Sequence, residues 1–262
     1  MYDFLKSTAW GMQKPTAYGP FHLTFLVLGL AACLLFAYLL RKSNEKTHKA
    51  ILLSVGVFLI VCEVYKQLFY TYYIGEGEYQ WWIFPFQLCS VPMYLCTIIP
   101  FVKNKKINKA LCSFLASFNL LGGFIALFEP SGLSHEYVTL TLHAFIWHIV
   151  LVFVGFYLIA SNRTSGSIKE FKSAVIIFIL LACIAQTINI VFREHSIKMF
   201  YISPYHSTPL IVFKQIEAAC GWFVNMIVYV IALTLGSFVF NRINWLINKR
   251  VYKGELAKEC NQ

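Results

Sequence analysis

Seven runs of about twenty mostly apolar residues divide this chain, at 21–40, 51–73, 81–102, 110–128, 138–160, 173–192 and 218–240. Each is long enough for a helix to cross the roughly 30 Å hydrocarbon core of a bilayer. Within that core only helices and closed barrels satisfy every backbone polar group. The pattern predicts an all-α polytopic membrane protein, a bundle of seven transmembrane helices. Composition agrees: 58% of the 262 residues are hydrophobic and only 13% charged, which excludes an ordinary soluble domain.

A formal net charge of +10 would suggest nucleic acid in a soluble protein, but here the cations sit in short loops between apolar runs. Arg41, Lys42, Lys46 and Lys49 follow the first run; Lys103, Lys105, Lys106 and Lys109 the third; Arg163, Lys169 and Lys172 the fifth; and Arg242, Lys249, Arg250, Lys253 and Lys258 the last. Only Lys6, Lys14, Arg193, Lys198 and Lys214 fall on the opposite side, with Lys66 inside the second run. Cytoplasmic loops carry the excess of Lys and Arg, so the N-terminus is expected outside and the C-terminus in the cytoplasm. The expected partners are membrane lipids, with no nucleic acid. Residues 1–20 are an outer-face interfacial lead-in, 21–240 the membrane domain and 241–262 a basic cytoplasmic tail. The first run follows about twenty mixed residues, lacks an A-x-A exit and precedes a basic loop, so it is expected to remain as a helix rather than be cleaved.

Eight cysteines, Cys33, Cys62, Cys89, Cys96, Cys112, Cys183, Cys220 and Cys260, are scattered singly without C-x-x-C spacing, which predicts neither a disulfide framework nor a zinc site. One of them has unusual neighbours. Trp81-Trp82-Ile83-Phe84-Pro85-Phe86-Gln87-Leu88-Cys89-Ser90-Val91-Pro92 reads as the outer half of the third helix, yet holds an amide, a thiol, a hydroxyl and two prolines. Polar groups and helix breakers at membrane depth are tolerated where protein or a wet cavity satisfies them. The prolines are expected to bend the helix and open room beside the thiol. At about 1.5 Å per residue, Cys89 lies roughly 10 Å below Trp82.

Other polar residues fall in the same outer half. Glu63 and Lys66 are one turn apart on the second helix and can pair, either fixing the packing or contacting a substrate. His143 and His148 on the fifth helix stand roughly 140° apart, which argues against a shared metal. Either could serve Cys89, because a thiol needs a nearby base or cation to become a nucleophile. Asn119 on the fourth helix joins these substrate-facing candidates or acts as hydrogen-bonding glue between helices, the role expected of Gln186, Asn189, Glu217 and Asn225. The long connection 193–217 is either a cap over the bundle or a tether.

Three blocks resemble a known family, the YwaF-type bacterial integral membrane proteins, distantly related to a vertebrate acyltransferase that remodels ether phospholipids. Phe84-Pro85-Phe86-Gln87-Leu88-Cys89-Ser90 is similar to the family's LPLHLC, Gly122 to Pro130 to its GxxxALxxP, and the run from His148 to Tyr157 to its HGLLxLxPLY. Gln87, Ile149 and Gly155 depart from it, standing where the family has histidine, glycine and proline. The resemblance implies roles in acyl transfer for Cys89 and His148, and so selects His148 over His143.

The expected function is then a thiol-dependent lipid acyltransferase or acyl hydrolase, needing neither cofactor nor metal, in a bacterial plasma membrane. Cys89 would attack a fatty acyl ester and His148 would shuttle the proton. Gln87 or Ser90 would donate to the oxyanion, with Glu63, Lys66, His143 and Asn119 on the substrate. The competing readings are a transporter or channel with a polar path through Glu63, Lys66, His143 and His148, and a non-catalytic scaffold.

Overall fold

The computed structural model describes the backbone of residues 1–259 and the side chains of residues 1–249. Cys260 and the side chains of Arg250, Lys253 and Lys258 lie outside the described residues. The described chain is helical, with α1 at Tyr2–Thr8, α2 at Pro20–Leu40, α3 at Glu45–Leu68, α4 at Val91–Ile98 and α5 at Lys105–Phe114. After these come α6 at Leu120–Phe128, α7 at Val138–Ala160, α8 at Ile168–Val191, α9 at Ile211–Cys220 and α10 at Trp222–Glu259. Wide π-type turns extend α3 through Phe69–Ile74 and join α5 to α6 through Leu115–Asn119. The single extended contact among the described residues is an isolated bridge between Gly11 and Tyr137.

Local signals place the helix starts. Pro20 opens α2, where a missing N–H costs nothing. The Asn44 side chain caps α3 by accepting from the Thr47 N–H at 2.9 Å, and Ser167 caps α8 through the Glu170 N–H at 3.3 Å.

Six helices are long and apolar enough to cross a membrane: Pro20–Leu40, Glu45–Ile74, Lys105–Phe128, Val138–Ala160, Ile168–Val191 and Trp222–Lys249. The predicted third span, 81–102, is not among them. Trp81–Ile83 forms one 3-10 turn, residues 84–90 are irregular, and only Val91–Phe101 makes a shorter apolar helix. Pro85 is the physical reason for the break, since it drives Phe84 to φ −47° and ψ 131°, whereas Pro92 sits in the first turn of α4, where a missing N–H costs no helical bond. The depth of Cys89 therefore cannot be counted as helical rise from Trp82.

α7 lies at the centre of the bundle, with α2, α3, α6 and α10 packed around it. Small residues allow close approach: a Cβ on Gly56 would sit 2.7 Å from the Thr97 amide across the α3–α4 contact. A Cβ on Gly29 would sit 2.6 Å from Ile149 across α2–α7.

The basic loops gather at one end of the bundle. Arg163 pairs with Glu45, Lys109 with Glu170 at 2.9 Å, and the Asn244 amide donates to Thr164 at 2.7 Å. At the other end the Val138 N–H donates to the Trp10 carbonyl at 2.9 Å, and buried His22 donates from Nε2 to the Leu127 carbonyl at 2.7 Å. The lead-in is held there too, with Leu5 fully buried and the Thr139 hydroxyl donating to the Thr8 carbonyl at 3.1 Å. Downstream, α10 does not stop near residue 240 but continues through Glu259.

Candidate functional site

Cys89 lies in the turn that immediately precedes α4, partly buried and packed with Cys62, Met93 and Trp147. The irregular backbone around it is tied down by side chains from other elements. The Tyr94 hydroxyl donates to the Pro85 carbonyl at 2.8 Å and the Gln67 amide to the Ile83 carbonyl at 2.8 Å. The Trp147 indole N–H donates to the carbonyl of Cys89 itself at 2.9 Å. Three carbonyls of the irregular segment, those of Ile83, Pro85 and Cys89, are thus satisfied by side chains within the protein.

Glu63 is 4% exposed and sits one turn from Lys66 on α3. Its Oε2 meets the Lys66 ammonium at 2.9 Å, and its Oε1 accepts from the Gln67 amide at 2.6 Å. Gln67 therefore joins the ion pair to the Ile83 carbonyl in the Cys89 segment. Lys66 keeps a fifth of its side chain exposed and has further N–H donors beyond the one facing Glu63. Through Glu63 and Gln67 it is linked to the segment that carries Cys89.

The two α7 histidines are held differently. The Nδ1 of buried His148 lies 2.8 Å from the Ala144 carbonyl. A carbonyl only accepts, so Nδ1 carries the proton and Nε2 of the neutral ring keeps a free lone pair. His143 stacks on Trp147 with ring centroids 5.4 Å apart, and its buried Nε2 has no hydrogen-bond partner among the described residues.

Gln87 is committed at both ends of its amide. Its Nε2 donates to the Lys198 carbonyl at 3.0 Å, and its Oε1 accepts from the Phe200 N–H at 2.9 Å. Asn189 grips the same segment from α8, accepting from the Met199 N–H at 2.6 Å and donating to its carbonyl at 3.0 Å. The connection after α8 is thereby inserted into the bundle, with Ile197, Met199, Phe200 and Ile202 buried. Phe200 and Tyr201 adopt positive φ of 54° and 57°, a left-handed conformation that bulky residues keep only where their surroundings impose it. Trp81 closes the seam by stacking on His195 with centroids 4.2 Å apart.

Ser90 is buried beside Cys89, and its hydroxyl makes no cap bond to α4. Asn119 donates to the Leu115 carbonyl at 3.1 Å and the Leu151 carbonyl at 2.9 Å. It joins α6 to α7 one turn beyond His148. The backbone N–H groups of Gln87, Leu88 and Cys89 make no hydrogen bond among the described residues.

Sequence reasoning passed over Trp147, Gln67, Tyr201 and Tyr229. Burial pushes the Tyr201 phenol up to about 12, so at neutral pH it keeps its proton and can donate. Trp147 directly precedes His148 in the run that carries both histidines; the other three offered no sequence signal beyond their type.

Across the chain, a family model described as the TMEM164 family matches residues 17–240. No curated protein and no solved structure gives a significant match. The family match takes in α2 through α9, the Cys89 turn and both α7 histidines, and this chain belongs to the TMEM164 family, a family of membrane proteins.

Proposed function

We propose that the chain is a thiol-dependent lipid acyltransferase or acyl hydrolase of the YwaF type, working in the outer half of a bacterial plasma membrane. In this reading the short apolar helix Val91–Phe101 completes a seventh membrane segment. The N-terminus faces outward, and the basic end of the bundle lies in the cytoplasm. The observation that carries the reading is the tie between the irregular Cys89 turn and α7, where the Trp147 indole donates to the Cys89 carbonyl one residue before His148 and stacks on His143.

The chemistry assigns a step to each group. His148 Nε2 takes the Cys89 proton, and Lys66 supplies the cation that favours a thiolate. Sulfur attacks the ester carbonyl, a carbon–sulfur bond forms, and the oxyanion is met by N–H groups of the Cys89 turn, Ser90 or the Tyr201 hydroxyl. The carbon–oxygen bond then breaks, with His148 returning its proton to the leaving alcohol. A second alcohol, or water, attacks the thioester and restores the thiol. Glu63 holds Lys66 and Gln87 holds the inserted loop, so both are positioning residues. His143 faces the substrate beside Trp147, and Asn119 supports α7 from behind.

The test is lipid analysis of membranes containing the wild-type chain, Cys89→Ala or His148→Ala. The wild type is expected to redistribute acyl chains among phospholipids, and both variants to abolish the change. Identical lipid profiles across all three would overturn the proposal.

A further inference from the structure

A cavity of about 530 Å³ opens at the end of the bundle that carries the lead-in. That volume suits a small polar ligand. Its polar lining includes Tyr2, Lys14, Tyr70, Tyr73, His135 and Glu136. One wall is supplied by the lead-in, fastened by the Met12 N–H to the Glu136 carbonyl at 2.8 Å and by the Val138 N–H to the Trp10 carbonyl at 2.9 Å. Lys14 and Glu136 are both exposed at this cavity, and neither forms an ion pair among the described residues. The cavity thus presents one unpaired charge of each sign.

The walls fit those charges. Tyr73 lies between Tyr2 and Tyr137, with ring centroids at 6.0 and 5.7 Å, which gives an aromatic surface of the kind that receives an alkylammonium. The Tyr70 hydroxyl stands 3.4 Å from His135 Nδ1, so one donates to the other and the pair keeps one donor for an anion. Tyr70 is one turn beyond Lys66 on the same face of α3, and Leu140, also lining the cavity, is one turn before His143 on α7.

We propose that this cavity is a headgroup site for a zwitterionic phospholipid, with Lys14, His135 and Tyr70 on the phosphate and Glu136 with the tyrosine wall on the amine. The site rests on the acyl-transfer reading only for its direction: a headgroup held here points the lipid's ester bonds inward, toward Lys66 and Cys89. The recognised chemistry, a phosphoester bearing an amine, is shared by free phosphoethanolamine.

Native mass spectrometry of the full-length chain in detergent, with phosphatidylethanolamine, phosphatidylglycerol or diacylglycerol added, tests the proposal. The wild type is expected to retain phosphatidylethanolamine over both others. Lys14→Glu and Glu136→Lys are each expected to lose roughly tenfold or more of that retention. Lys14→Arg and Cys89→Ala should keep it. Both charge-reversed positions are exposed, and Glu136→Gln gives a milder second variant to compare at matched melting temperature. Equal retention of the three lipids, or unchanged retention in both charge reversals, would overturn the site. Displacement by free phosphoethanolamine at a concentration equal to the lipid would assign it to a soluble phosphoester and overturn the lipid reading. Loss of headgroup selectivity with acylation of Cys89 intact refutes the cavity alone, whereas selectivity without acylation refutes the acyl-transfer reading alone.

Discussion

The Trp147 indole N–H donates to the Cys89 carbonyl at 2.9 Å, which fastens the irregular turn before α4 to the centre of α7, one residue from His148. Trp147 also stacks on His143, so a single ring sets the thiol segment against both histidines. Trp147→Phe keeps the stacking surface and deletes the N–H. The loss of one neutral hydrogen bond is expected to cost about 1 kcal/mol of stability. A several-fold fall in acyl adduct on Cys89 should accompany it, read by intact mass beside thermal unfolding in detergent. An unchanged adduct yield would remove Trp147 from the positioning role.

Gln87 holds the inserted loop through two hydrogen bonds, to the Lys198 carbonyl and from the Phe200 N–H. Gln87→Ala deletes both, and at about 0.5–1.5 kcal/mol each the local opening of residues 197–203 should become roughly 5- to 160-fold more frequent. Hydrogen exchange of peptides covering that segment checks this. Gln87→Glu keeps the acceptor for Phe200 and should fall between the two. Exchange confined to other segments would contradict the clamp.

The Glu63–Lys66 pair is buried on the carboxylate side and a fifth exposed on the ammonium side. Lys66→Ala leaves the Glu63 charge uncompensated and is expected to cost roughly 3 kcal/mol, at the low end for a broken buried pair because of that exposure. The double variant Glu63→Gln with Lys66→Met should recover most of the loss. Chemical unfolding of the wild type, Glu63→Gln, Lys66→Met and the double variant gives the coupling directly, and additive losses would show that the two residues act separately.

Burial and the positive charges of Lys14 and Lys66 hold His135 below its ordinary value. A histidine depressed in the folded state contributes stability that is complete above its unfolded pKa of about 6.5 and is lost as the pH falls through the folded one. Melting temperature should therefore drop on acidification from about pH 7.5 to pH 5, and His135→Gln should show a smaller drop. The same pH slope in both proteins would place the titration elsewhere.

The membrane character of the fold was legible because apolar runs of span length and clustered Lys and Arg both follow from the solvent the chain must inhabit. The clustering of cations correctly anticipated that residues 41–49, 103–109, 163–172 and 242–249 share one end of the bundle. Hydropathy misjudged residues 81–102, since Trp81 to Ser90 is as apolar as a span but Pro85 forces Phe84 out of the helical region and the helix starts again only at Val91. Polar residues at membrane depth drew attention to the Cys89 stretch, where the backbone is irregular, and to Glu63 and Lys66, which form an ion pair. Sequence could not foresee that the Gln87 amide would be consumed by the backbone of Lys198 and Phe200, more than a hundred positions away, because a long-range side-chain-to-backbone bond leaves no periodic trace. The same holds for Trp147, which reads as one more apolar residue until its partner carbonyl is known.

The central claim is that Cys89 carries the acyl group, and intact-mass analysis of the purified chain after incubation with phospholipid tests it most directly. The account predicts a mass increase equal to one fatty acyl group, located at Cys89, removed by hydroxylamine, absent in Cys89→Ala and strongly reduced in His148→Ala. An unmodified wild-type chain that still remodels lipid, or an equal adduct in Cys89→Ala, would contradict it.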